Sequence, residues 1–287
     1  MGLNLFNKII NLEFLDNDGN VAAAIKCPKK GRKPSIEITG HLTGDSTLDT
    51  INITVKNMNL EIMGSDFPKV RVTAGYDDST TTFDCDIFLT YQDSPGPESI
   101  TTIQCTVGSL ETCLKKTVSG LVQKDGSLQD AVKIVTDALG FDAPAIDPTA
   151  AKMKTETQLC LDGMAREALY KMKAAFPLAA FTLADNKIRV IALDVPQKAA
   201  IESIRYMSAP TQFTGGKNNP VQAVVTAPWI PVLRCHMPVE IPAKFYKGKG
   251  SVSQITDTTI ITPYSIQIHF ATTGSANKMV VSGTVNN

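Results

Sequence analysis

The sequence predicts a β-rich α+β fold in which two strand-built lobes, each a sandwich or small barrel, flank a small α/β insert. Two observations carry this expectation. Apolar residues recur with period two in the first and last thirds of the chain, the spacing of half-buried strands. Between them the period changes to that of an amphipathic helix. At about 100–200 residues per domain, a chain of 287 residues holds two or three units. The changes of period place them at 1–112, 113–200 and 201–287.

In the first unit Ile36 and Ile38 open the alternation. Ile51, Ile53 and Val55 follow with Asn52 and Thr54 between them, then Leu60 and Ile62, then Val70, Val72 and Ala74. Phe83, Cys85, Ile87 and Leu89 alternate with Asp84, Asp86 and Phe88, and Thr101, Ile103, Cys105 and Val107 close the set. The connectors Gly40, Gly44-Asp45, Gly64-Ser65-Asp66 and Ser94-Pro95-Gly96-Pro97 carry turn chemistry. Short strands spaced by turns point to a sandwich or barrel.

In the middle unit Ser127 precedes a helical run, with Asp130 three residues on as in a capping box. Leu128, Ala131, Val132, Val135, Ala138 and Leu139 make one apolar face, and Gly140 and Phe141 supply the helix stop. A second helix is expected from about Thr157 to Ala175, with Leu161, Met164, Ala165, Ala168, Leu169 and Met172 inward and Gly163 weakening it. Ala179–Leu183, a turn at Ala184-Asp185-Asn186 and Lys187–Leu193 read as a hairpin.

The last unit returns to strands. Val221, Ala223 and Val225 alternate, and Pro228, Pro231, Pro238 and Pro242 break the next stretch into short edges and loops. Ile260, Tyr264, Ile266, Ile268 and Phe270 lead through a turn at Thr273-Gly274-Ser275 to Met279, Val280 and Val281. No repeat of fixed short period is visible. The two strand-rich units could still be related in structure, because such kinship can leave no trace in sequence.

Composition narrows the function. Lys+Arg and Asp+Glu both number 28, without the basic excess of a protein devoted to nucleic acid. Neutrality suits a subunit that stacks with its own copies. No stretch approaches the about 18–20 apolar residues of a membrane helix, and the start has neither signal-peptide character nor, with Phe6 at the sixth position, the myristoylation pattern. Cys27, Cys85, Cys105, Cys113, Cys160 and Cys235 include no CxxC pair and are expected to be free thiols in a reducing compartment.

Catalytic signatures are missing. There is no G-x-S-x-G elbow, with Gly64-Ser65 and Gly108-Ser109 reading as ordinary turns, and no phosphate-binding glycine motif, with Gly215-Gly216-Lys217 a plain turn. Cys160 stands near a helix start without a histidine nearby in sequence. His41, His236 and His269 form no ligand spacing, and Cys235 and His236, being adjacent on a strand, would point to opposite faces. Asp77-Asp78 and the pair Asp84 and Asp86 are expected to be a solvated face or to meet a lysine. No catalytic residue, cofactor or metal is expected. One basic cluster, Lys26, Lys29, Lys30, Arg32 and Lys33, reads as an exposed loop that solubilises the chain, or meets an acidic neighbour or DNA passing a channel.

Three stretches carry a family resemblance. Val70–Ser109 contains Ala74-Gly75-Tyr76, Ile87-Phe88-Leu89-Thr90-Tyr91 and Thr101-Thr102-Ile103; Gly126–Gly140 opens the helix, with Phe181–Leu193 the hairpin after it; Ala209–Pro242 and Tyr264–Val281 come last. Together they resemble the Mu-like, late-control type of phage baseplate hub protein, although Arg234-Cys235 stand where that family carries a glycine and the chain is short for it. The resemblance implies two tail-tube-like lobes and a non-enzymatic homotrimer. Its ring would sit in the tail baseplate of a virion assembled in the host cytoplasm, under a hexameric tube or tube-initiator protein and over a trimeric spike. DNA or a tape measure protein would pass through it. Alternatives are a hexameric tail-tube, tube-initiator or distal-tail subunit, a tail-associated cell-wall hydrolase and a carbohydrate- or protein-binding module.

Overall fold

The computed structural model describes residues 7–28, 31–43, 49–58, 67–76, 79–93, 98–107, 116–184, 187–192, 212–214, 222–230, 233–242, 258–274 and 277–286. The expected strand at Leu60 and Ile62 lies outside these residues, as do the turns at Gly44-Asp45, Gly64-Ser65-Asp66 and Ser94–Pro97.

The first unit is built of β1 (Lys8–Leu15), β2 (Val21–Ile25), β3 (Ile36–Thr43), β4 (Asp49–Lys56), β5 (Lys69–Tyr76), β6 (Ser79–Asp93) and β7 (Ile100–Val107). The insert contributes β8 (Thr117–Val118), β9 (Leu121–Val122), α1 (Leu128–Leu139), β10 (Ala145–Ile146), β11 (Leu159–Cys160), β12 (Gly163–Met164), α2 (Ala165–Ala175), β13 (Ala179–Ala184) and β14 (Lys187–Ala192). The last unit holds β15 (Gln212–Thr214), β16 (Gln222–Ala227), β17 (Val239–Pro242), β18 (Thr258–Ala271) and β19 (Asn277–Asn286). The two strand-rich units join in one 12-stranded sheet of order β15-β16-β19-β18-β3-β4-β7-β6-β5-β1-β2, with β17 paired to β18 off this path.

That order contains a repeat. The first unit runs β3-β4-β7-β6-β5 and the last runs β15-β16-β19-β18-β17, the same connectivity twice. The register repeats with it. β6 pairs with β5 up to Asp86 and with β7 from Asp86 onward, with a bulge between Ile87 and Leu89. β18 pairs with β17 up to Ile261 and with β19 throughout, with a bulge between Pro263 and Ser265. Counting along the ladders from the bulges matches Phe88 with Tyr264, Val70 with Val239, Ile53 with Val225 and Ile103 with Val281. A long strand that bulges as it changes partner is how a sheet turns a corner and folds over its own apolar face.

The bulge corrects the expected alternation. Phe83 and Cys85 are buried as predicted, but Ile87, just before the extra residue, is only half-buried, and every residue from Phe88 to Asp93 is exposed. In β3, β4 and β5 the period-two reading holds, with Ile36, Ile38, Ile51, Ile53, Val55, Val70, Val72 and Ala74 all buried, whereas in β18 the bulge again shifts it, so that Tyr264 is exposed and Ile261 is buried where Ile260 was expected. The two strand-rich units share a single core. At its centre Phe270 meets Trp229 edge-on with ring centroids 4.6 Å apart, and Tyr76 at 5.7 Å. The Tyr76 hydroxyl donates to the Trp229 carbonyl and to Asn277 Oδ1, which satisfies the one polar atom of that buried ring.

The insert has a separate core. Ser127 caps α1, accepting from the Asp130 amide while the Asp130 carboxylate accepts from the Ser127 amide. Gly140 ends α1 at φ 68°, the left-handed conformation that glycine adopts without strain. Every residue of the expected apolar face is buried except Ala138, which is half-buried. The second helix is shorter than expected. Leu159–Cys160 and Gly163–Met164 pair with β9 and β8, and Gly163 sits at φ 132°, so α2 begins only at Ala165 and Met164 is exposed. β13 and β14 pair as the expected hairpin strands, with Asp185, Asn186 and Leu193 outside the described residues, and β10 adds a parallel strand to them.

Replacing Phe270 by alanine removes a ring that contacts residues from both strand-rich units. A loss of about 3–5 kcal/mol in urea unfolding is expected, the range for a buried phenylalanine. Amide exchange should accelerate in β5 and β18 together while α1 keeps its protection.

Candidate functional site

The two strand-rich units meet at one antiparallel seam, with β3 running from Glu37 to Thr43 against β18 from Ala271 to Ser265. On its polar face His269 Nε2 lies 2.6 Å from Glu37 Oε1, and His41 Nε2 lies 2.7 Å from Ser265 Oγ. Both contacts cross the seam diagonally, two residues off the directly opposed partner. On the other face Ile38, Leu42, Ile266 and Phe270 enter the core. Gly40, expected in a turn, instead lies within β3 and permits the close strand packing here, because a Cβ on it would stand 2.6 Å from the Ile51 side chain and 3.0 Å from the Thr50 carbonyl.

The polar face continues on both sides of the seam. Thr50, Asn52 and Thr54 of β4, Thr102 and Gln104 of β7, Gln267 of β18 and Ser282 of β19 occupy it in register with Glu37, Thr39 and His41. Among the described residues its charges of either sign are interspersed and include Glu37 with His269, Lys278 opposite His269, Lys56, whose Nζ bonds Glu98 at 2.9 Å, Asp93 in register with Lys56, and Asp86 with Lys69. Such a surface offers a polyanion little to grip, and away from Tyr91 it offers bases no stacking platform.

Of the basic loop, Lys29 and Lys30 lie outside the described residues. Lys26 and Arg32 are exposed, whereas Lys33 turns back and donates to the Lys8 carbonyl at 2.8 Å. Lys8 in turn donates to the Gly274 carbonyl. Partial burial, reinforced by Lys33, lowers the Lys8 pKa. The described part of this loop is therefore tied to the β18–β19 turn.

Asp84 and Asp86 meet cations of the neighbouring strand. Arg71 pairs with Asp84 through two contacts of 2.8 and 3.1 Å, and Lys69 reaches Asp86 at 3.6 Å. Asp77-Asp78, Gly64-Ser65, Gly108-Ser109, Gly215-Gly216-Lys217 and Cys113 are outside the described residues. Cys27, Cys85, Cys105, Cys160 and Cys235 take part in no disulfide, and all but Cys160 are buried. Burial, with the Cys105 thiol beside it, pushes the Cys85 thiol up. Cys160 donates to Asp162, whose carboxylate also accepts from Ser119 Oγ and the Gly120 amide; these donors hold it below the usual carboxylate range. Asp162 thus fastens the β9–β11 connection. Among the described residues no three His, Cys, Asp or Glu side chains converge to hold a metal ion, and no described helix is long and apolar enough to cross a membrane.

Two features escaped the sequence reading. Asp49, at the start of β4, is buried and accepts from the Thr43 amide at 2.7 Å. Burial pushes its pKa up to about 6, against the opposing pull of the Thr43 amide and Arg234. Arg234 is itself buried and lies 5.7 Å over the Phe83 ring. The left-handed residue next to Arg234-Cys235 is His236, at φ 61°. The second feature is the outer half of β6. From Leu89 to Asp93 it pairs with β7 on one side, and among the described residues no strand lies on the other.

No family model matches the chain, and no curated protein matches it in sequence. Its fold is nonetheless that of known tail proteins. The 43 kDa tail protein of prophage MuSo2 from Shewanella oneidensis superposes with a TM-score of 0.56 at 10% identity over 96% of each chain. A tail protein from Neisseria meningitidis MC58 gives 0.58 at 7% identity over 97% of each. The Escherichia coli c3393 protein gives 0.59 at 9% identity over 90% of this chain and 76% of its own. It is a component of the type VI secretion system with structural similarity to the T4 bacteriophage tail proteins gp27 and gp5. The chain, expected to be short for the hub family, is matched across nearly its whole length by the first two.

Asp49 binds its proton more tightly in the folded state, so its contribution to stability is full below about pH 4 and is lost as pH rises through about 6. The change is on the order of 3 kcal/mol at most. Asp49→Asn keeps an acceptor for the Thr43 amide and should flatten the dependence of the urea midpoint on pH between 4 and 6.

Proposed function

We propose that the chain is a structural subunit of a phage-type tail, a baseplate hub protein whose three copies close a ring. The ring adapts a hexameric tail tube or tube-initiator protein above to a trimeric spike below. The observation that carries this reading is the repeat: β3-β4-β7-β6-β5 and β15-β16-β19-β18-β17 have one connectivity and one register. Three chains, each with two such lobes, imitate six around an axis, which is what a joint between sixfold and threefold partners needs. Full-length likeness of fold to two tail proteins supports the same reading.

In this reading the polar face across the seam lines the lumen. Its threonines, asparagine and glutamines let DNA or a tape measure protein pass without holding it. The basic loop is left for a neighbouring subunit. The role is assembly rather than catalysis, carried out in the baseplate of a virion built in the host cytoplasm. A hexameric tube subunit is the nearest competitor, and the doubling of the lobe within one chain disfavours it, because six chains would then present twelve lobes.

Subunit counting tests the assignment. Class averages viewed down the axis of tail particles containing this chain should show three copies, each spanning two lobes. Six copies would assign it to the tube, and a monomer in light scattering with tube and spike proteins present would remove it from any ring.

A further inference from the structure

The register of the repeat points to the residues that join one copy to the next. We infer that the outer half of β6 in one copy receives β15 of a second copy, reproducing between chains the β3–β18 seam found within each chain. This inference rests on the ring reading above.

The correspondence fixes the partner. β18 is the counterpart of β6, and β3 is the counterpart of β15. Within the chain β18 uses its segment beyond the bulge, Ser265–Ala271, to hold β3. The segment of β6 beyond its own bulge, Leu89–Asp93, pairs in the same way with the corresponding neighbour strand, β7, but its far side carries no strand among the described residues. At the opposite end of the sheet, β15 pairs among the described residues with β16 alone. A single molecule therefore offers two complementary edges facing away from each other, the arrangement that joins copies head to tail.

The edge is also unguarded. Ile87–Gln92 carries no charge and no proline, and Phe88, Leu89 and Tyr91 are 55%, 47% and 45% exposed. Exposed strand edges of that composition invite pairing with another chain. A β6 edge that is meant to be covered in the working assembly needs no such protection.

The intrachain register supplies the intermolecular one. Gln267 opposes His41 and His269 opposes Thr39 in the existing seam. Tyr91 is the counterpart of Gln267 and Asp93 of His269, by their ladders to β7 and β19. Thr214 and Gln212 are the counterparts of His41 and Thr39, by their ladders to β16 and β4. Tyr91 of one copy therefore opposes Thr214 of the next, and Asp93 opposes Gln212, antiparallel.

Paired cysteines read that register. In a Cys160→Ser background, Tyr91→Cys combined with Thr214→Cys places two thiols on Cα atoms about 4.5–5.5 Å apart across an antiparallel pair, within disulfide reach. Oxidised rings should run as covalent trimers on denaturing gels, and neither single variant should. Tyr91→Cys with Gln212→Cys, displaced by two positions, should cross-link at least ten-fold more slowly. Three-membered rings that form without the cross-link, or cross-link equally well in both registers, overturn the seam and leave the hub reading standing. Failure of the unsubstituted chain to form rings in tail particles overturns both. Hydrogen exchange on the unsubstituted protein gives an answer even if the variants fold poorly. Within Leu89–Asp93, amides facing away from β7 should exchange at least ten-fold more slowly in rings than in dilute monomer, and equal rates overturn the seam.

Discussion

The structure turns on the pairing of one strand edge with another, β3 against β18. Every backbone amide and carbonyl at a sheet edge needs a partner or water, and this seam supplies partners to both lobes at once. It also sets the side chains. With β3 and β18 in their observed register, Ile38, Leu42, Ile266 and Phe270 face the common core and Glu37, His41 and His269 face outward. A slip of one residue would exchange the two sets. The contacts of His269 with Glu37 and of His41 with Ser265 are exposed and individually weak. They mark the register more than they stabilise it, and the burial that stabilises the seam lies on its other face, in the shared core that includes the aromatic cluster of Tyr76, Trp229 and Phe270.

That constraint also divides the labour among the parts. The face turned to the core is continuous across both lobes, so they fold as one body. The insert, with a core of its own, interrupts the chain between the two repeats without interrupting their sheet. The bulges at Phe88 and Tyr264 let β6 and β18 each serve two neighbours in succession. They convert a flat row of strands into a folded layer with a buried interior.

Much of this was legible in the sequence, and the failures have physical causes. Alternation in Ile51–Val55 and Val70–Ala74 revealed the strands because one face is buried and the other wet. The capping box at Ser127 and the stop at Gly140 located α1 to the residue. The start of α2 was misplaced because Leu161 and Ala165 fit a helical spacing although Gly163, left-handed, breaks the helix between them. Burial of Ile87 and Leu89 was overestimated because β6 parts from β5 at the bulge, and every residue from Phe88 to Asp93 is exposed on both faces of the strand. The repeat left no sequence signal: matched positions share only their burial, as in Ile51 with Ala223, or not even that, as in Leu89 with Ser265. Asp49 carries no mark in the sequence, and only its tertiary burial, with Arg234 nearby, makes it unusual.

Joining two related lobes in one polypeptide changes the concentration dependence of any closed assembly made from them. Within a chain, β3 finds β18 at the high effective concentration of a tethered pair, so half of the lobe-to-lobe contacts are complete when the polypeptide has folded. Only the remaining half depend on encounters between separate molecules. A circle of doubled subunits then closes from three bodies where single lobes would need six, and it persists on dilution to levels at which six free lobes would disperse. The tether also breaks the equivalence of successive lobes. A partner on one side can bind all six alike through what they share, while a partner on the other side can use a feature present in every second one.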